Sequence, residues 1–332
     1  MFRYLLLFCL IFCSSNLSAQ DFHFSQFYAT PTLTNPAMNG NHGAGFRLGG
    51  INRSQFGAGA NNFQTVALYG DVALLQNAVA EESWIGVGGK LYYDNAGQGA
   101  INTLHMAGLV TFHKALTDVF YISIGGSFGF TRKSLDASDL NFNNQYTEQG
   151  FDITLANGES FIRDGYMTMD VDAGISGTYT QGKNRRLTVG LSLLHINRPS
   201  DSYYLEVNTN PNRRAFRPVI HVNGDFGFND FHVEPGVLFS RDRGAQELIY
   251  GSNFSIGLGY DTRVSFGLWH RWNESIVPLI GVEVLRTRIY ATYDINAQST
   301  QNFGSTRSAF EISAAHTGKW RERSGGIACP RF

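Results

Sequence analysis

From residue 44 onward the chain alternates apolar and polar residues with a period of two, sustained over many segments. In Ile122–Phe130 one face carries Ile122, Ile124, Phe128 and Phe130, and the other only serine and glycine. Leu187, Val189, Leu191 and Leu193 stand against Thr188, Gly190 and Ser192, and Phe254, Ile256, Leu258 and Tyr260 against Ser255, Gly257 and Gly259. Met169, Val171, Ala173 and Ile175 repeat the pattern against Asp170, Asp172, Gly174 and Ser176. The charges Lys90, Asp170, Asp172, Asp225, Glu234, Glu283, Arg288, Asp294 and Glu311 all take the polar parity. The two faces of each strand therefore meet different media.

A soluble sandwich hides its apolar faces between two sheets, whereas a membrane barrel shows them to lipid and turns the polar faces to a lumen. Strand length separates the two. Many segments run to roughly 11 to 15 residues, which suits a tilted bilayer crossing better than a globular sheet. About fourteen are read between 44–54 and 306–317, the even number that bacterial single-chain barrels require. The long joins 134–165, 198–213 and 298–305 follow odd strands, while Thr117-Asp118, Gly182-Lys183-Asn184 and Asn229-Asp230 follow even ones. That is the division between long outer loops and short periplasmic turns. The expected fold is all-β, a closed antiparallel transmembrane β-barrel of about 14 strands over residues 44–317. A lead-in or plug segment over 20–43 precedes it and a short tail over 318–332 follows. Trp84, Tyr92, Tyr93, Trp269, Trp272, Tyr290 and Tyr293 are candidates for interfacial girdles.

Composition agrees with this reading. Only 16% of residues are charged, and 37 glycines stand beside 26 phenylalanines and 15 tyrosines, a mixture poor in helix formers. The 26 basic and 27 acidic residues nearly cancel, so no nucleic-acid partner is expected. No stretch after residue 13 reaches the roughly 18 to 20 apolar residues of a spanning helix. Residues 1–19 read as a signal peptide, with Arg3, an apolar run from Tyr4 to Cys13, and a Leu17-Ser18-Ala19 cleavage site. Cleavage there leaves Cys329 as the single thiol, with no disulfide framework and no cysteine metal cluster.

The start of the mature chain, Gln20-Asp21-Phe22-His23-Phe24-Ser25-Gln26-Phe27-Tyr28, is followed by Thr30-Pro31 and Thr34-Asn35-Pro36-Ala37. The end reads Cys329-Pro330-Arg331-Phe332. Together these resemble the PorP/SprF family of type IX secretion. The matching positions are Phe24, Ser25, Gln26, Phe27, Asn35 and Pro36 at one end, and Cys329, Pro330 and Phe332 at the other. His23 stands where the family commonly has a proline-histidine pair, and the interior matches only in its pattern. The resemblance implies an outer-membrane barrel, exported by a signal peptide, that works with type IX secretion components. It also implies that the barrel helps a secreted cargo, such as an adhesin, to cross or attach through the cargo's C-terminal domain. Gliding motility belongs to the same implied setting.

Residues 20–43 either cap the barrel, plug its periplasmic mouth or dock a periplasmic partner, and apolar cover for Phe22, Phe24, Phe27 and Tyr28 favours a cap. His23 and Ser25 show no carboxylate partner or oxyanion donor nearby in sequence, so no nucleophile is read there. The histidines, among them His105, His113, His221 and His232, lack HxH or HExxH spacing, and neither a metal nor a cofactor is expected. Inward charges read as lumen ion pairs, with a conduction path as the alternative. Glycine on the lumen parity fits a wide pore or a plug close to the wall. The 134–165 loop interleaves acids with Phe142, Tyr146, Phe151 and Phe161, a candidate cargo-contact surface or a loop folded over its own barrel. The expected function is thus non-enzymatic, an outer-membrane accessory of type IX secretion in contact with lipid. A general porin or FadL-like uptake channel is the alternative, and a surface hydrolase finds no triad spacing.

Overall fold

The computed structural model describes residues 23–56, 62–74, 82–96, 101–135, 143–148, 150–152, 154–155, 165–182, 184–202, 213–296 and 308–319. The wall is built from β1 (Phe46–Phe56), β2 (Asn62–Leu74), β3 (Ser83–Ala96), β4 (Ile101–Thr117) and β5 (Phe120–Leu135). A two-strand hairpin, β6 (Tyr146–Thr147) and β7 (Gly150–Phe151), stands apart from it. The wall continues with β8 (Gly165–Gln181), β9 (Arg185–Leu194), β10 (Arg217–Phe228), β11 (Phe231–Asp242) and β12 (Ala245–Gly259). It ends with β13 (Thr262–Arg271), β14 (Ser275–Val284), β15 (Thr287–Asn296) and β16 (Ala309–Gly318).

Each wall strand pairs antiparallel with its sequence neighbours, and β1 pairs with both β2 and β16, Ile51 facing Ala67 on one side and Ser313 on the other. The fourteen strands form a closed ring. Closure follows from the solvent, because lipid offers no partner to the backbone groups of an open edge.

The alternation read from the sequence becomes two surfaces. Leu68, Val110, Ile124, Leu191, Phe254, Ile280 and Ile312 are exposed on the outside, while Thr111, Ser123, Ser127, Ser192 and Ser255 are buried within. No helix among the described residues is long and apolar enough to cross a membrane. The crossing belongs to the strands.

Short turns gather at one end, at 118–119, 182–184, 229–230, 260–261 and 285–286. The strand ends that the 136–164, 195–216 and 297–308 connections join lie at the other. In Tyr260-Asp261 and Leu285-Arg286 both residues have positive φ, 52° and 55° and then 48° and 69°, the two-residue turn whose twist matches that of the strands. The long-loop end faces outward and the short-turn end faces the periplasm.

Two features depart from expectation. Residues 23–45 do not cap the periplasmic mouth; they run through the lumen, the plug alternative, and both polar contacts and the apolar clusters around Phe24 and Phe27 seat them there. The proposed girdle divides as well, since Tyr93, Trp272 and Tyr293 are exposed outside whereas Tyr92, Trp269 and Tyr290 are buried inside. Trp84 stacks on His113 at 4.6 Å, inside the wall. Period-two parity puts these four rings on the lumen face, where the luminal segment gives them something to pack on.

Candidate functional site

The luminal segment contains a 3-10 turn (Phe27–Ala29), one α-helical turn (Pro31–Thr34) and a second 3-10 turn (Pro36–Met38). Pro31 and Pro36 each stand at the start of a turn, where a missing N–H costs nothing. Such short turns have little stability of their own. Their positions are set by the wall.

Ser25 and Gln26 sit in a buried polar knot at the long-loop end. The backbone N–H groups of Ser25 and Gln26 donate to the two carboxylate oxygens of Glu311 at 2.8 and 3.0 Å. Ser25 Oγ donates to Asp294 and accepts from Arg271 Nη2 at 2.9 Å. Arg53 Nη1 reaches both Asp294 (2.9 Å) and Glu311. The Gln26 amide donates to Thr292 Oγ1 at 3.0 Å and accepts from Ser313 Oγ at 2.6 Å. The two carboxylates thus share the Arg53 guanidinium, Arg271 reaches Asp294 through the Ser25 hydroxyl, and the adjacent backbone donors are satisfied, the condition under which charge tolerates burial. The carboxylate partners that the sequence did not reveal for Ser25 are Asp294 and Glu311, brought from the far end of the chain by ring closure. His23 stands beside the knot; burial, then Arg271 and Arg53, hold its imidazole well below the usual 6.5, so it is neutral.

Flanking this knot, Phe24 and Phe27 point into two separate apolar clusters. Phe24 packs with Ile51, Ala67 and Tyr92, and Phe27 with Leu194, Val219, Leu238, Ile249, Trp269 and Val277. Tyr28 stacks on Trp269 at 4.5 Å. The motif Phe-Ser-Gln-Phe therefore alternates apolar anchors with polar ones, and the lumen wall is patterned to match.

Asn35 holds the middle of the segment. Its Oδ1 accepts from Ala37 N at 2.9 Å and caps the following turn, while its Nδ2 donates to the carbonyls of Ile175 and Leu191 and meets His221 Nε2 at 3.1 Å. The wall is glycine at the points of contact. A Cβ at Gly174 would overlap Asn35 Oδ1, and one at Gly86 would overlap the Asn39 carbonyl. Lumen glycine thus serves a plug close to the wall at these positions.

The segment leaves at the short-turn end. Gly40 N donates to Asp71 at 2.6 Å, and Arg47 holds both oxygens of the same carboxylate while donating to the Met38 carbonyl at 3.0 Å. Asn41 meets Thr178, Tyr121 and Arg186. Burial and then Arg47 lower the His42 pKa to about 4, so it is neutral near pH 7, and its Nδ1 accepts from Ala44 N.

Two cavities flank the turns between Phe27 and Thr34. One of about 70 Å³ lies toward the long loops among His23, Phe24, His105, His195, Arg217 and Glu247. The other, about 310 Å³, lies toward the short turns among Tyr28, Trp269, Tyr290, Glu234, Arg286 and Arg288. Donor atoms of Asp170, Asp172 and His195 converge within 4.8 Å. Lys90 stands 2.7 Å from Asp172 and Arg214 3.8 Å from Asp170, so a divalent ion would have to displace both cations. The charges picked out by parity are largely paired, Arg288 with Glu234 and Glu283, and His232 with Asp225.

Of the loop aromatics, Tyr146 and Phe151 face each other across the β6–β7 hairpin, rings 5.3 Å apart, and are 57% and 40% exposed. Phe142 and Phe161 lie outside the described residues, as do Cys329, Pro330 and Phe332 and the proposed signal peptide. The described start of the 195–216 connection is held through Asp201, which accepts from Lys133, Tyr166 and Arg243. Burial alone would raise the Asp201 pKa, but Lys133, the Tyr166 hydroxyl and Arg214 bring it below the usual carboxylate value. Arg47, Arg53, Asp71 and Arg271 were not singled out from the sequence, although each sits on the polar parity of its strand. Their partners within the bore are remote in sequence, although Arg271 also pairs with Glu274 three residues on.

A closed wall with an apolar exterior, short turns at one end and an interior filled by the chain's own N-terminal segment defines an outer-membrane β-barrel with a plugged bore. Its sequence places it further: the profile described as type IX secretion system membrane protein PorP/SprF matches residues 16–316, and the chain belongs to that family. No curated protein matches significantly. Among solved structures the chain is similar to the Ralstonia pickettii toluene transporter TbuX at 10% identity, covering 87% of this chain and 94% of that one with a TM-score of 0.51. It is likewise similar to the Pseudomonas putida toluene transporter TodX at 10% identity, covering 90% and 94% with a TM-score of 0.50. At this identity the likeness concerns the fold alone.

Proposed function

We propose that this barrel is an accessory of type IX secretion that supports the secretion or surface attachment of a partner cargo, such as an adhesin, met through the cargo's C-terminal domain. Family membership supplies the secretion setting. The observation that carries the reading is the seated luminal segment. A bore occupied by Ser25, Gln26 and Asn35, each hydrogen-bonded to the wall, suits a platform for another protein better than an open pore. The exposed pair Tyr146 and Phe151, with Phe142 and Phe161 of the same loop, is the proposed cargo-contact surface. No catalytic step is assigned. Solute uptake is the second reading, favoured by the cavity of about 310 Å³ at the short-turn end.

Deleting the gene, with surface proteins then identified by mass spectrometry, tests the proposal. The expected outcome is the loss of one large surface protein, recovered as a partner when the detergent-solubilised barrel is pulled down. An unchanged surface proteome, together with free conduction by purified barrel in planar bilayers, overturns it in favour of uptake.

A further inference from the structure

Among the described residues the wall ladder lapses opposite two prolines. β10 and β11 pair from Val219↔Ser240 to Asn223↔Gly236 and again at Phe226↔Val233, but Gly224-Asp225 and Glu234-Pro235, in register between them, form no ladder pair. β14 and β15 lapse in the same way at Pro278, between Ile276↔Ile295 and Leu279↔Thr292. Proline has no N–H to give to a neighbouring strand, so each lapse is local and the register is kept across it. What stands behind the two lapses differs. Behind Pro278, Val277 is packed in the Phe27 cluster and Asp294 is held by Ser25 and Arg53, so the luminal segment backs the wall there. Behind Pro235 lies the cavity of about 310 Å³ at the short-turn end. Gly224, opposite exposed Leu187, and Pro235, two residues from exposed Val237, both take the outward parity, yet both line that cavity. On the outside a Cβ at Gly224 would lie 2.5 Å from a ring carbon of Phe226 and 3.1 Å from Pro235 Cγ. With no side chain at Gly224, the rings of Phe226 and Pro235 are the outer cover of the interval.

We propose that the β10–β11 interval is a lateral portal through which an acyl chain of a zwitterionic phospholipid enters the short-turn cavity from the inner leaflet of the outer membrane. The ligand class follows from what the interval separates. Outside it are acyl chains, and inside it is a space lined by Tyr28, Pro31, Met38 and Trp269. Asp225 and Glu234 border the interval on the lumen side, and Arg288 reaches Glu234 at 3.2 Å, so the rim carries both signs and suits an amine beside a phosphate. The interval lies close to the 229–230 turn, and the short turns face the periplasm, which puts it at the level of the inner leaflet. Turning the Phe226 ring off Gly224 uncovers it, and no ladder pair between Gly224 and Pro235 opposes its widening. The inference needs neither the cargo reading nor the uptake reading.

Photolabelling tests the portal in the full-length barrel, reconstituted in nanodiscs that contain phosphatidylethanolamine with a diazirine in its acyl chain, with adducts mapped by mass spectrometry. The expected result is adducts on lumen-facing Tyr28, Met38 or Trp269 as well as on outward residues, and none on lumen-facing Val277 behind Pro278. Phe226→Ala is expected to raise the luminal yield severalfold. On a background with Cys9, Cys13 and Cys329 replaced by alanine, a disulfide between Asp225→Cys and Glu234→Cys should abolish the luminal adducts, and reduction of the same variant should restore them. Heat-modifiable migration on gels reports that each variant is a closed barrel. Adducts confined to outward residues in both the unaltered chain and Phe226→Ala overturn the proposal, as do luminal adducts that persist with the disulfide closed. An equal luminal yield from a phosphatidylglycerol probe overturns the choice of a zwitterionic headgroup.

Discussion

Glu311 is fully buried, and its carboxylate accepts from Arg53 and from the backbone of both Ser25 and Gln26. Replacing it with alanine strands two buried N–H donors and leaves the Arg53 guanidinium with Asp294 as its remaining carboxylate partner. Breaking one side of such a pair costs about 3 to 5 kcal/mol, which falls on the seating of the luminal segment because the β16 ladder is made by backbone. Glu311→Ala is therefore expected to unseat residues 23–27 while the barrel stays closed. Faster proteolysis of that segment, with unchanged heat-modifiable migration on gels, is the measurement. At the other end of the segment His42 responds to pH. Its folded pKa of about 4 lies below the ordinary 6.5, so stability from this site is full above pH 6.5 and is lost progressively as pH falls toward 4. The full effect is on the order of 3 kcal/mol. The protection factors of amides in residues 38–45, with the intrinsic pH dependence of exchange divided out, are expected to fall between pH 7 and pH 5, and His42→Gln should remove most of that change.

The luminal segment is an element without regular structure long enough to hold itself, so its path is written into the wall. Glycines at contact points are the clearest instance. Gly174→Val would drive a side chain into Asn35, whereas Gly126→Val, on the opposite parity of the neighbouring strand, meets no close side-chain neighbour. The first substitution is expected to displace the middle of the segment and admit ion current in planar bilayers, and the second to leave the barrel silent. Equal currents from both would show that the segment is not what closes the bore.

For the whole molecule, the wall and its filling are separable in energetic terms. The fourteen-strand ladder satisfies its own backbone, so a chain lacking residues 23–41 is expected to close into a barrel and conduct ions that the intact chain does not pass.

The alternation of side chains determined by itself that the chain forms a strand wall with one face for lipid. Strand length and the parity of long and short joins carried the closed barrel, since each of these is a local property of consecutive residues. The Phe-Ser-Gln-Phe and Asn-Pro-Ala elements were likewise legible as motifs. What they do was not. Ser25 meets Glu311 and Asp294 only because the ring closes and brings the last strands beside the first, and Trp269 and Tyr290 face inward onto Tyr28 only because the lumen is occupied. Whether the interior would be water, ion pairs or protein depended on contacts between residues hundreds of positions apart. A period of two can assign a side to each residue, but it carries no information about what stands across the bore.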